Sequence, residues 1–237
     1  MALPVQSTPV YTLTVPSTEE TIKYRPFLIK EQKALLIAQQ SEDISVMLDT
    51  LRSVIDSCII GKADASKFAL FDLEYIFSQI RAKSVGETVD LLFSCTECDD
   101  ENAKVKITID LTSLKVVKNP EHENKISLFD DVGIALKYPS LENAKALAMI
   151  NEDDVDSMFK QTIECIEYIY DSNELYYAKD QSKEELEEFI NNLTDEQFSK
   201  IKKFFETMPV LSHTVEYNCP VCRKSHSTKL EGISNFF

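Results

Sequence analysis

Residues 93–100 read FSCTECDD, and residues 217–224 read YNCPVCRK. Each stretch sets two cysteines apart by two residues: Cys95 and Cys98 in the first, Cys219 and Cys222 in the second. A tight turn can aim two thiolates so spaced at one point. Two such turns brought together offer four sulfurs at tetrahedral directions to a single ion, at about 2.3 Å for zinc. The flanks of both pairs read as strands. Residues 87–94, ETVDLLFS, lead into the first pair, and 103–111, AKVKITIDL, leave it, with Val105, Ile107 and Ile109 alternating with Lys106, Thr108 and Asp110. Residues 212–218, SHTVEYN, and 225–230, SHSTKL, frame the second pair in the same way. The expectation is a pair of β-hairpins joined at their tips in the manner of a zinc ribbon, with Cys95, Cys98, Cys219 and Cys222 as the metal ligands.

The stretch between the pairs is longer than a ribbon loop. A folded insertion with its own caps and core meets that objection, because its ends need only return to adjacent strands. A CxxC pair can also be redox-active, but that chemistry lowers a thiol's pKa at a helix N-terminus following a strand. Here strand-like sequence follows each pair. A four-cysteine site that has lost or never needed its metal is the other alternative. His122, His213 and His226 are possible substitute ligands, although four cysteines need none of them. Iron suits four thiolates as well as zinc does.

With 237 residues, 43% of them hydrophobic and 27% charged, the chain has the composition of a soluble globular protein large enough to bury a core without staples. Six cysteines are too few for a disulfide scaffold and would stay thiols in a reducing compartment. Cys58 falls in the stripe Leu51, Val54, Ile55, Cys58, and Cys165 among Phe159, Ile163, Ile166 and Ile169, so both read as small core residues. The first twenty residues, MALPVQSTPVYTLTVPSTEE, have neither the basic nor the apolar region of a signal peptide, and no apolar run is long enough to span a membrane. The expected location is the cytoplasm. A net charge of −15 argues against a nucleic-acid partner, since basic side chains supply most of that affinity.

Along the chain, residues 10–15 and 20–25 read as a β-hairpin broken by Pro16 and Ser17. Residues 30–40, KEQKALLIAQQ, are helix formers, and Ser41 offers an N-cap to a second helix striped with Ile44, Met47, Leu48, Leu51, Val54, Ile55 and Cys58. Residues 72–83 form a third helix with Asp72 as its cap. A short strand is expected at 132–138, a helix capped by Ser140 through Ile150, and another helix over about 153–170. Ser182 with Glu185, and Thr194 with Gln197, spell two capping boxes ahead of apolar periodic runs. The resulting fold class is α+β: a mostly helical body, an N-terminal β-hairpin, and a zinc-ribbon-like pair of hairpins closed by the cysteines. The expected divisions are an N-terminal arm (1–28), a helical region (29–86), the first ribbon hairpin (87–118), a mostly helical insertion (119–209), and the second hairpin with the C-terminal tail (210–237).

No catalytic motif accompanies this layout. Four glycines leave little room for a phosphate-binding loop, and no P-loop, dinucleotide fingerprint, GxSxG, HExxH or EF-hand spelling occurs. A four-thiolate site has no open position for chemistry. No catalytic or cofactor-binding residue is assigned beyond the cysteines, and the sequence argues for a binding or assembly protein.

Three stretches taken together resemble the baseplate hub and hub-assembly proteins of T4-like bacteriophages: 24–40, YRPFLIKEQKALLIAQQ; 71–87, FDLEYIFSQIRAKSVGE; and 219–237, from CPVC to LEGISNFF. The segment DDVGIALKYPS at 130–140 fits the same family. The resemblance implies a non-enzymatic role in tail morphogenesis, as a hub component of the virion baseplate or a chaperone-like assembly factor. It further implies other hub proteins as partners and the host cytoplasm as the place of assembly. The competing readings are a zinc-ribbon regulator contacting nucleic acid or the transcription machinery, and a thiol oxidoreductase.

Overall fold

The computed structural model describes residues 7–41, 43–98, 100, 102–143 and 155–232. The chain divides into two compact units, one made of residues 1–117 and 210–237 and the other of residues 118–209.

The first unit opens with strands β1 (Tyr11–Thr14) and β2 (Thr21–Tyr24), an antiparallel hairpin in which Leu13 faces Ile22. Helices α1 (Ile29–Gln40) and α2 (Ile44–Cys58) follow, and the chain runs directly into β3 (Ile59–Ile60), which adds to β2. The buried Glu31 holds the start of α1: it accepts from Leu28 N at 2.7 Å and pairs with Arg25 at 3.0 Å. Burial pushes its carboxyl up, but the bonds from Arg25 and Leu28 outweigh this and keep it below the usual carboxylate range.

Two cap assignments need correction. Ser41 closes α1, donating from Oγ to Ala38 O, and does not cap α2. The N-cap of α2 is Asp43, whose carboxylate accepts from Ser45 N and Val46 N and carries the negative charge that a helix N-terminus favours. Helix α3 (Leu70–Ser84) begins two residues before Asp72, so Asp72 lies inside the first turn. It reaches back to Ala69 N and accepts both the N–H and the hydroxyl of Ser17, tying the β1–β2 turn to the helix. α3 is buried on most sides, with Leu73, Ile76 and Ile80 fully enclosed. Gln79 sends its amide to Leu111 O at 3.1 Å.

Strands β4 (Thr88–Ser94) and β5 (Lys104–Asp110) pair antiparallel over seven positions. β6 (Lys115–Val117) leads out of the unit. The chain returns as β11 (Val210–Asn218), which pairs with β6 on one side and with β12 (Ser225–Glu231) on the other. Val89, Leu91, Phe93, Val105 and Ile107 pack with Leu211, Val215, Tyr217 and Leu230 in one core, joined by Tyr75 and Ala82 of α3.

The second unit was expected to be mostly helical; beside its helices it holds a sheet that the expectation did not include. That sheet is four-stranded and antiparallel, ordered β10 (Leu175–Tyr177), β9 (Ile166–Tyr170), β8 (Val132–Leu136), β7 (Lys125–Phe129). The helix expected over 153–170 is α4 (Val155–Cys165), and it stops where IEYIY begins. Those β-branched and aromatic residues favour a pleated strand, and β8 offers them a partner. Ser140 and Asn143 bond to each other at a helical start, while residues 144–150 lie outside the described residues. Both capping boxes form as spelled, opening α5 (Lys183–Asn191) and α6 (Asp195–Thr207). Leu186, Ile190, Phe198, Ile201 and Phe204 from these helices meet Ile134, Leu136 and Ile166 of the sheet in one core.

Gly133 in β8 faces Tyr170 in β9 across the ladder. A Cβ at position 133 would overlap the Tyr170 ring and the Ile126 carbonyl oxygen. The ring therefore covers the glycine, and Lys125 Nζ stands 4.3 Å over its centre. Gly133→Ala is expected to cost roughly 1–3 kcal/mol, as overpacking does. Urea unfolding measures it, and an unchanged midpoint would mean that the ring does not occupy that position.

Candidate metal centre

The two CxxC turns are built from their own backbone hydrogen bonds. In the first, Cys95 N donates to Ala103 O at 2.9 Å, and Glu97 N points at Cys95 Sγ at 3.4 Å. In the second, Cys219 N donates to Lys224 O at 2.9 Å, Arg223 N to Cys219 O at 3.0 Å, and Cys222 N points at Cys219 Sγ at 3.5 Å. The tight second turn forces Arg223 to φ 59°, the left-handed region that costs an ordinary residue about 1–2 kcal/mol.

The turns face each other. Phe93 and Tyr217 pack with ring centroids 5.2 Å apart, and the Tyr217 hydroxyl donates to Ser94 O at 3.2 Å. Lys224 of the second turn pairs with Glu97 of the first. This packing brings the sulfurs together: Cys95 lies 3.8 Å from Cys222, Cys98 lies 3.5 Å from Cys219, and all four fall within 4.8 Å of one another. A tetrahedron of sulfurs at about 2.3 Å from zinc has edges near 3.8 Å, so the four side chains fit such an ion in both kind and spacing.

Thiols this close do not ionise independently. Hydrogen bonding to Cys95, then burial, pushes the Cys98 thiol far up. Burial acts the same way on Cys219, but the N–H groups of Cys222 and Val221 and the neighbouring thiols pull it down to about 6.

His226 completes the surroundings. Its Nε2 stands 3.2 Å from Cys95 Sγ, and its ring lies 5.1 Å from that of Tyr217, its partner across the β11–β12 ladder. In the sequence it was only a possible substitute ligand. In the fold it borders the cluster, outside the set of four sulfurs. The signal available was its place at the second residue of the strand leaving CPVC. His213 and His122 are elsewhere: His213 faces Leu230 in the ladder, and His122 bonds Thr207 at 3.0 Å in the second unit. Cys58 and Cys165 are buried core thiols, pushed up by burial to about 11 and about 12.

Arg223→Gly removes the backbone strain of the second turn while leaving its hydrogen bonds intact. The expected outcome is a gain of about 1 kcal/mol in thermal or urea unfolding, whereas a loss would show that the arginine side chain supports the turn more than its backbone strains it.

The family model described as T4 bacteriophage base plate protein matches residues 8–237. The "Baseplate hub assembly protein gp26" of Enterobacteria phage T4 is 23% identical over 228 residues, covering 96% of this chain and 97% of that protein. No solved structure matches the chain. With a match that runs through both CxxC turns and both units, this chain belongs to the T4 bacteriophage base plate protein family.

Proposed function

We propose that the protein is a non-enzymatic assembly factor or component of the phage baseplate hub, held in shape by a structural zinc ion on Cys95, Cys98, Cys219 and Cys222. The observation that carries the assembly role is the end-to-end match to a protein named for baseplate hub assembly. The protein would work in the host cytoplasm while the hub is built, with other hub proteins as its partners. Among the described residues no helix is long and apolar enough to cross a membrane, in keeping with such a role.

The zinc reading rests on the donor set. Four thiols from two facing turns give a closed tetrahedral site, and a bound ion would supply a cross-link between the two hairpins. Such a site leaves no position for a substrate. The alternative of a nucleic-acid-binding ribbon loses support from charge. The chain is net −15, and the outward lysine Lys106 on the first hairpin is paired with Asp90 at 2.7 Å.

Purified protein is expected to carry one zinc per chain by elemental analysis. Chelation should lower its unfolding midpoint, and Cys98→Ser should abolish stoichiometric loading; metal-free protein with unchanged stability would contradict the clasp, and a red iron-loaded protein would change the metal. For the assembly role, tagged protein from infected cells is expected to co-purify with other hub proteins. A free monomer throughout infection would count against it, while presence or absence in purified particles separates component from factor.

A further inference from the structure

Four thiolates on one divalent cation carry more negative charge than the ion neutralises. Hydrogen-bond donors around the sulfurs meet that excess, and such outer partners govern how firmly an ion is held. The backbone supplies some of them: Glu97 N points at Cys95 Sγ at 3.4 Å, and Cys222 N at Cys219 Sγ at 3.5 Å. Lys224 follows in the second turn, but its ammonium is paired with Glu97.

His226 adds a side-chain nitrogen to this set. Its Nε2 stands 3.2 Å from Cys95 Sγ, within reach of a hydrogen bond to sulfur. The half-buried ring is fixed from its other side. Tyr217 faces it across the β11–β12 ladder, and the two rings stack with centroids 5.1 Å apart and planes 23° from parallel. Tyr217 is itself held by Phe93 at 5.2 Å and by the bond from its hydroxyl to Ser94 O at 3.2 Å. Ser94 is the residue before Cys95. A closed circuit of contacts therefore runs from Ser94 through Tyr217 and His226 back to Cys95. It joins the two hairpins through side chains outside the four sulfurs.

The direction of the bond follows from chemistry. Between a thiol and a neutral imidazole, either atom can donate. A metal-bound thiolate has no hydrogen to give, so the bond then requires one on Nε2. A nitrogen that carries this hydrogen has no lone pair for a metal. The role of substitute ligand, left open by the sequence, is closed to that atom.

We propose, resting on the zinc reading above, that His226 is a positioning residue of the cluster, whose Nε2–H donates to the Cys95 thiolate. The bond orients that sulfur and, together with Glu97 N, makes it a poor nucleophile. Cys95 is thereby kept on the ion in the presence of competing reagents.

The full chain loaded with zinc tests this by three readouts. Nitrogen-15 spectra of the histidine rings are expected to show His226 with its hydrogen on Nε2. His226→Phe keeps a ring against Tyr217 but has no N–H. It is expected to load one zinc per chain, to hold it about ten- to a hundredfold more weakly against a chelator, and to be alkylated faster by iodoacetamide at Cys95. His226→Gln keeps an N–H donor and should recover most of both effects. The proposal is overturned if Nε2 lacks a hydrogen in the zinc-loaded wild type, a result that holds whether or not the variants fold. It is also overturned if His226→Phe matches the wild type in affinity and in alkylation of Cys95. Equal weakening by His226→Gln and His226→Phe would assign the effect to packing and overturn it too. A wild type that loads no metal removes the zinc reading and this inference together, whereas normal loading with any of the other adverse results removes this inference alone.

Discussion

The meeting of the two CxxC turns is the constraint on which the first unit depends. β4–β5 and β11–β12 are hairpins far apart in the chain, and a lone two-stranded hairpin is marginal in water. They become a stable layer because Phe93 and Tyr217 pack between them, α3 covers their apolar side, and four sulfurs converge at their tips. The excursion through residues 118–209 is tolerated for a geometric reason. It leaves from Val117 and returns at Val210, and these two residues are direct partners in the β6–β11 ladder. Loop-closure cost rises only slowly with length, about 0.6 kcal/mol per doubling. An excursion that folds around its own core therefore adds little further penalty.

The four cysteines that could hold an ion are all thiols on two facing turns, with Lys224 and His226 beside them. The zinc clasp proposed for them would use that donor set as a cross-link. The features that stand out in this member of the T4 bacteriophage base plate protein family are the paired hairpins and the covered glycine at Gly133.

Much of this was legible in the sequence, and the failures have physical causes. The hairpins around both cysteine pairs were readable because Val105, Ile107 and Ile109 alternate strictly with polar residues and carry the half-buried period of a strand. The capping boxes at Ser182 and Thr194 were readable because the signal is local, between a hydroxyl and a side chain three residues on. Ile166–Tyr170 was misread because its apolar residues continue the helical spacing of α4, while the preference for a strand comes from β8, distant in sequence. Ser41 and Asp43 compete for one cap, and the carboxylate wins at the helix start. The outward placement of Ile44 and Met47 was hidden because a periodic stripe shows which face is apolar but not how far along it the core extends.

X-ray absorption at the metal edge of the purified protein tests the central claim most directly, because it counts the donor atoms around the ion. The account predicts a zinc edge with a single shell of four sulfurs at about 2.3 Å. A shell with fewer sulfurs, or one made up of oxygen and nitrogen, would show that the two distant turns do not close on a common ion.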